Sequence, residues 1–185
     1  MKYRIFIFMI VCTALLIAGC GNKAPFAPES KELDLNKQDV FLAKGPTDKF
    51  TTYTATEIFQ AEPDHGKQWI SEDNILHVRN RIQVYKIVST ESRVAGLMTV
   101  TQDMNLDLNT YCGTLVSKCH HELEAMEGTW EGTLAGKLTN GILSGHGVAQ
   151  GSGGDLEGLT LKLRLLDTGP PYLEIPETGY IIEKP

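Results

Sequence analysis

Residues 128–158 read GTWEGTLAGKLTNGILSGHGVAQGSGGDLEG, and this stretch decides the fold of the chain. Asn140-Gly141 lies between two runs in which polar and apolar positions alternate. Both residues tolerate the positive φ that a type I′ turn requires, so the stretch predicts a β-hairpin. Counting outward from that turn places Trp130 opposite Gly151.

One face of this hairpin combines large apolar side chains with glycine. Its members are Trp130, Gly132, Leu134, Gly136 and Leu138 on the first strand and Leu143, Gly145, Gly147, Ala149 and Gly151 on the second. Glycine weakens a strand unless curvature or close approach uses it, and ten of the eighteen glycines fall between Gly128 and Gly158. Large residues beside glycine suit the tapering interior of a small barrel, so we expect this face to point inward.

The same alternation continues from about residue 50 onward. Apolar residues recur at every second position within three further runs: Leu76, Val78, Ile82 and Val84; Val94, Met98, Val100, Met104, Leu106 and Leu108; and Leu159, Leu161, Leu163 and Leu165. Polar neighbours, including His77, Arg79, Arg81 and Gln83, are expected on the solvent side. Period two of this kind indicates half-buried antiparallel strands, and no comparable helical stripe occurs in the mature domain. We therefore expect an all-β fold, a small closed antiparallel β-barrel of about eight strands, over residues 49–185.

The glycine and aromatic pattern of residues 128–137 and 145–158 resembles that of small bacterial proteins with allene-oxide-cyclase-like or dirigent-like barrels. The resemblance covers roughly residues 76–185 and implies an eight-stranded antiparallel barrel. It contains no catalytic signature, and the catalytic residues of the plant cyclase do not map onto this chain. Because a fold does not imply a function, no activity is carried over.

The first residues have the layout of an export signal. Lys2 and Arg4 precede an apolar segment, residues 5–17, that is shorter than the roughly 20 residues a membrane-spanning helix needs. The sequence Ile-Ala-Gly-Cys at residues 17–20 resembles the lipobox of bacterial lipoproteins. It implies cleavage before Cys20, diacylglycerol on the Cys20 sulfur and an acylated amino terminus, so that several chains anchor the protein in a membrane.

This leader predicts three segments: a signal peptide over residues 1–19, a lipid-anchored, poorly ordered tether over residues 20–48, and the barrel. Gly21 follows the cysteine where an aspartate would otherwise stand, which favours delivery to the outer membrane in a double-membraned bacterium. In a single-membraned source the anchor would hold the protein on the outer face. An ordinary signal peptide that leaves Cys20 free is the alternative.

The charge of the chain limits its partners. Removal of residues 1–19 takes away the two positive charges of Lys2 and Arg4 and changes the formal charge from −6 to −8. An acidic surface makes nucleic acid and anionic headgroups poor partners for the folded domain.

Two cysteines remain in the expected barrel, Cys112 and Cys119. In an oxidising exported compartment, a disulfide between them is the first expectation. A thiolate metal site is the alternative, because His120 and His121 follow directly. The spacing matches neither structural zinc nor attached haem, so we expect the disulfide.

Three further residues raise the question of a metal site. His120, Glu122 and Glu124 alternate, so on a strand they share one face and have the ligand types of a divalent metal site. A solvated polar face beside the cysteines is the simpler interpretation, and we expect no metal or cofactor.

Two amides interrupt otherwise apolar series. Asn80 lies two residues after Val78, and Gln102 lies two residues before Met104, so the alternation would turn both amides into the core. A buried amide needs hydrogen-bond partners, which each other, the backbone or trapped water could supply, or a bulge could flip the register. The functional interpretation is a cavity in which Asn80 and Gln102 orient a ligand, with an apolar lining of Met98, Met104 and Trp130.

The sequence leaves two hypotheses of function. The first is a non-catalytic envelope lipoprotein whose barrel binds a small apolar ligand or an envelope partner. It predicts a cavity or an apolar surface patch. The second is a cyclase or isomerase acting on a hydrophobic substrate in the barrel lumen, and it requires a titratable group inside the barrel. The patterning offers no strong candidate for that group.

Overall fold

The computed structural model describes residues 48–183, and this part of the chain is built almost entirely of antiparallel strands. The strands are β1 (Lys49–Asp64), β2 (Lys67–Ile70), β3 (Ile75–Ser89), β4 (Gly96–Asp107), β5 (Cys112–Leu123), β6 (Thr129–Thr139), β7 (Ile142–Ser152), β8 (Thr160–Thr168) and β9 (Glu174–Glu183). A short 3-10 helix (Gly154–Leu156) joins β7 to β8. Within residues 48–183 no helix has the length and apolarity needed to span a bilayer. The predicted signal peptide, Cys20 and the predicted tether up to residue 47 lie outside the described residues.

Eight strands close into a barrel in the order β1-β9-β8-β7-β6-β5-β4-β3, because β3 pairs with β1 as well as with β4. The ninth strand, β2, pairs with the first part of β3 beside the barrel. Closure pairs both edges of the sheet, so that among the described strands only β2 keeps a free edge. The predicted all-β closed barrel is confirmed.

The predicted hairpin is confirmed as β6 and β7. Asn140 and Gly141 have φ angles of 51° and 78°, as a type I′ turn requires. Trp130 pairs with Gly151, and its side chain is 1 % exposed. Gly132 lies so close to β7 that a Cβ would stand 2.6 Å from the Ala149 Cβ, so only glycine fits there.

A bulge in β3 corrects the predicted faces of that strand. The pairing with β4 shifts between Val78 and Arg81, and Asn80, at φ 55°, lies exposed in the bulge. Beyond the bulge the alternation is inverted: Arg81, Gln83, Tyr85 and Ile87 point inward, and Ile82 and Val84 are only half-buried. The inward placement of Asn80 and the solvent-side placement of Arg81 and Gln83 are therefore wrong.

One end of the barrel is filled with apolar side chains; we call it the closed end. Val94, Trp130 and Leu156 are all almost completely buried there. The Trp130 indole donates a 2.7 Å hydrogen bond to the Arg93 carbonyl, and the Arg93 guanidinium pairs with Glu91 and Glu183. These contacts join the loop before β4, the first residues of β6 and the end of β9.

The predicted disulfide is wrong. Cys112 and Cys119 both lie on β5, and a strand rises about 3.3 Å per residue, so about 23 Å separates them. A disulfide needs Cα atoms within about 7 Å. Both residues carry free thiols, Cys112 at the start of β5 and Cys119 inside the barrel.

Candidate functional site

The barrel interior contains a cavity of about 290 Å³ between its middle and the end opposite Trp130. Residues of the β4–β5, β6–β7 and β8–β9 connections surround its outer part, including Tyr111, Gly141 and Leu173. Tyr111 and Leu173 are each 53 % exposed, so they mark the mouth through which the cavity meets solvent. Tyr172 donates a short hydrogen bond to the Gly141 carbonyl and ties two of these connections together.

The cavity has an apolar wall, formed by β6, β7, β8 and β9. Its side chains are Leu134, Leu138, Leu143, Leu165 and Ile175. Leu134 and Leu138 belong to the inward series predicted from the hairpin, and both are buried. The leucines of that series line the cavity, and the glycines between them let the neighbouring strands approach closely.

On the opposite side, formed by β1, β3, β4 and β5, polar side chains stand among apolar ones such as Met98 and Met104; we call this side the polar wall. Its polar side chains are Glu57, Glu62, Arg81, Gln83, Gln102 and Ser117. Arg81, Gln102 and Ser117 stand in register on three adjacent strands, so they make one row across the wall. The cavity is therefore apolar on one side and able to hydrogen-bond on the other.

Near the mouth the polar wall is held by a connected set of hydrogen bonds. Tyr85 donates to the Gln83 side-chain oxygen at 3.2 Å, Gln83 donates to Glu62 at 3.4 Å, and Arg81 donates to Glu62 at 2.6 Å. Burial alone would raise the pKa of Glu62, but hydrogen bonds from Arg81 and His65 outweigh it and lower that pKa. Glu62 is thus an anion at neutral pH, paired with Arg81.

Deeper in the barrel lie two glutamates that have no cationic partner among residues 48–183. Glu57 on β1 and Glu177 on the adjacent β9 are each 3 % exposed and sit on a diagonal of the strand pairing. Burial, followed by repulsion from Glu177, raises the pKa of Glu57 well above its usual value. Burial also raises the pKa of Glu177 to about 7, against the lowering effect of the neighbouring Glu57 and Tyr53 side chains. The pair is therefore largely protonated below neutrality.

The other titratable groups at this depth, Tyr53, Cys119 and His121, are neutral at pH 7. Burial raises the pKa of Cys119 to about 12 and lowers the pKa of His121 to about 4. Burial and the two glutamates raise the pKa of Tyr53 as well. Below neutrality, the floor of the cavity is consequently polar but almost uncharged.

A second cavity of about 30 Å³ lies behind this floor, towards the closed end. Glu57, Met98, Cys119 and Leu134 line both cavities, so these side chains form the layer between them. Among the described residues, five buried polar atoms have no hydrogen-bond partner: Tyr53 Oη, Glu57 Oε1, Arg81 Nε, Ser117 Oγ and His121 Nε2. Such atoms raise the free energy of the empty barrel unless water or a ligand satisfies them.

Of the five residues predicted to line a ligand cavity, the structure brings three together. Met98, Gln102 and Met104 line the main cavity. Trp130 lines the second cavity at the closed end, and Asn80 is outside the barrel. Trp130 thus lines a cavity of the barrel, but the smaller one and without Gln102, and only the predicted inward position of Asn80 is wrong.

Two of the residues weighed as metal ligands, His120 and Glu122, lie on the outer surface of β5, and Glu124 follows directly after that strand. His120 contacts Glu131 through Nδ1 and Glu122 through Nε2, and these contacts raise the pKa of His120. Glu124 instead pairs with Lys86 at 3.7 Å. In the part of the chain from residue 48 to 183, no group of three or more histidines, cysteines and acidic residues has the arrangement of a metal site.

The buried glutamates are the functional residues that the sequence reasoning missed. A signal for them was present, because Glu57 alternates with Tyr53, Ala55 and Phe59, and Glu177 alternates with Ile175 and Ile181. A charged residue in an apolar period-two series, like the two amides, indicates a polar side chain turned into the core.

Comparison with known proteins finds no matching family model, no matching curated protein and no matching solved structure. The function is therefore argued from the cavity and its two walls.

Proposed function

We propose that this protein is a lipid-anchored envelope protein whose barrel binds a small, largely apolar ligand in the cavity between Glu57 and the mouth. The observation that carries the proposal is the cavity itself, open to solvent at one end and lined on one side by leucine and isoleucine. A concave, mostly apolar site with a few polar groups is the usual form of a small-molecule site.

The size of the cavity sets the size of the ligand. An apolar protein cavity of about 150 Å³ is large enough to bind benzene. At about 290 Å³, this cavity has room for a substituted benzene ring or a molecule of similar volume. A longer ligand would extend through the mouth, past Tyr111 and Leu173.

The proposed location in the cell envelope is supported only by the sequence of the leader, residues 1–20. Acylation of Cys20 would hold the barrel at a membrane surface, where apolar molecules are concentrated. Intact-mass measurement of the protein extracted from membranes is expected to show a mature chain starting at Cys20 with the mass of its acyl groups. The Cys20→Ser variant is expected to lose that mass and leave the membrane fraction.

Ligand binding is tested with ethylbenzene on the full-length protein in lipid nanodiscs. Calorimetric titration is expected to show one site per chain after subtraction of partitioning into empty nanodiscs. The Ser117→Phe variant fills the cavity from β5 and is expected to abolish binding, because Ser117 is an inward cavity residue.

The control is the neighbouring position on the same strand. Val116 points outward and is 58 % exposed, so Val116→Phe adds the same ring outside the barrel and is expected to leave binding unchanged. Saturable binding that survives Ser117→Phe, or no binding by the unmodified protein, would contradict the proposed site.

A second candidate function, a cyclase or isomerase acting on a hydrophobic substrate, is favoured by the glutamate pair inside the lumen. A carboxyl held protonated near neutrality has the pKa of a general acid. Recovery of a rearranged product from the protein, with loss of turnover in the Glu57→Gln variant, would establish this function in place of simple binding.

A further inference from the structure

In the layer between the two cavities, the Glu57 side chain lines both of them. It has an ionisable carboxyl group, one oxygen of which, Oε1, has no hydrogen-bond partner within the described residues. On the same wall, the Oγ atom of Ser117 is also buried and unpartnered. Two hydrogen-bonding groups therefore remain unused at the inner end of the cavity.

The groups around Glu57 come from every neighbouring strand. On β1 and β9 they are Tyr53 and Glu177, on β3 Tyr85, and on β5 Cys119 and His121. The ion pair of Arg81 and Glu62 lies nearer the mouth and is internally neutral. No cation from these strands neutralises Glu57, so the low-polarity interior favours its uncharged, proton-donating form.

We infer that the cavity selects neutral ligands that carry a hydrogen-bond-accepting oxygen, such as a ketone, and that the Glu57 carboxyl donates the hydrogen bond at its inner end. This inference rests on the proposed binding function and names the ligand class of that same site. The apolar body of the ligand lies against Leu134 and Leu138, and its oxygen turns towards the polar wall.

The geometry disfavours charged ligands of the same shape. A carboxylate would lie beside the unpaired glutamates, and the one guanidinium on this wall, that of Arg81, already pairs with Glu62 at 2.6 Å. An ammonium group would have to give up its water and ionise the buried pair, which removes the donor. A neutral acceptor requires neither change.

The test uses four ligands built on one ring: ethylbenzene, acetophenone, benzoate and 1-phenylethylammonium. The quantity measured is the affinity of the full-length protein in nanodiscs for each, and above all the ratio of acetophenone to ethylbenzene affinity. Because the ratio is compared between variants, the different hydrophobicities of the two ligands cancel.

Two variants at Glu57 separate hydrogen bonding from folding. Glu57→Gln keeps a neutral donor of the same shape, and Glu57→Leu removes the donor but keeps the volume. The ratio is expected to be similar in the unmodified protein and in Glu57→Gln, and about five- to tenfold lower in Glu57→Leu, the effect of one hydrogen bond. Glu131→Leu, on the outer face of β6, is the control and leaves the ratio unchanged.

The pH dependence gives a readout that a merely structural role would not produce. As the glutamate pair ionises above neutrality, the ratio is expected to fall in the unmodified protein. The Glu57→Gln variant, whose amide has two N–H groups, is expected to keep its ratio over the same range.

Each outcome decides one proposal. Suppose that ethylbenzene binds but the ratio of acetophenone to ethylbenzene affinity is the same in Glu57→Leu and in the unmodified protein. In that case this inference is wrong and the proposed function stands. Tighter binding of benzoate or of 1-phenylethylammonium than of acetophenone also overturns it. If none of the four ligands binds, the proposed function itself fails.

Discussion

The two ends of the barrel are built from the same strands but are filled differently. At the closed end, Trp130, Val94 and Leu156 are almost completely buried, and the cavity there has a volume of only about 30 Å³. At the mouth, Tyr111 and Leu173 stand at the rim of a cavity almost ten times larger. Close packing at one end secures the fold, and this allows the other end to remain open.

This comparison assigns stability to the closed end and binding to the mouth. The Trp130→Ala variant is expected to lower the free energy of unfolding by about 3–5 kcal/mol, because it removes a buried aromatic ring and its hydrogen bond to Arg93. Urea unfolding followed by circular dichroism measures the change.

The matched aromatic at the mouth is Tyr111, which is mostly exposed. Tyr111→Ala is expected to change the free energy of unfolding by less than about 0.5 kcal/mol while weakening ligand binding. Equal destabilisation by the two variants would remove the distinction between the ends.

A second prediction concerns the glutamate pair that separates the two cavities. The pKa values of Glu57 and Glu177 are raised in the folded protein, so the folded state holds protons that the unfolded state has released. Their contribution is complete below the unfolded pKa near 4.5 and is lost as pH rises through the folded values, about 7 for Glu177. Stability is expected to fall by about 1–3 kcal/mol between pH 6 and pH 8.

His121 affects stability in the opposite direction, because its contribution to the free energy of unfolding decreases as the pH falls. The pKa of His121 is lowered to about 4, so its contribution is lost as pH falls from 6.5 towards 4. Between pH 4.5 and 6.5 the glutamates and His121 oppose each other, so the decline due to His121 is expected to show below about pH 4.5, and Glu57→Gln should flatten only the alkaline side. Urea midpoints measured from pH 4 to pH 9 check this, and an alkaline side that is equally steep in the variant would show that other groups cause it.

The smallest expected effect concerns the cysteines, which lie at different depths along β5. Because no disulfide joins them, a reductant should shift the midpoint of thermal unfolding by less than about 1 °C. In the native protein an uncharged maleimide should label Cys112 well before Cys119, whose burial also raises its pKa to about 12. A loss of thermal stability on reduction would indicate a disulfide after all.

The parts of the fold that the sequence predicts correctly depend on local chemistry. Asn140-Gly141 specifies its own turn, and the register of β6 and β7 follows by counting from it. The inward position of Trp130 and the closure of the sheet follow from that register and from the glycine pattern.

The errors arise where distant pairing decides the outcome. The bulge at Asn80 is defined only by the pairing of β3 with β4, yet it inverts every side chain that follows on β3. Glu57 and Glu177 meet only because β1 pairs with β9 when the barrel closes. The disulfide was predicted from an oxidising exported compartment. It does not form because Cys112 and Cys119 lie on one extended strand, which keeps the two thiols apart.

The most direct test of the binding cavity is to locate bound ethylbenzene by nuclear Overhauser effects to labelled methyl groups. Leu134 and Leu138 line the cavity, whereas Leu97 and Val116 lie on the outer surface of the same barrel. The account predicts contacts from the ligand to the two inward leucines and none to the two outward residues. Contacts confined to the outward residues, or no contacts from a ligand shown to bind, would contradict it.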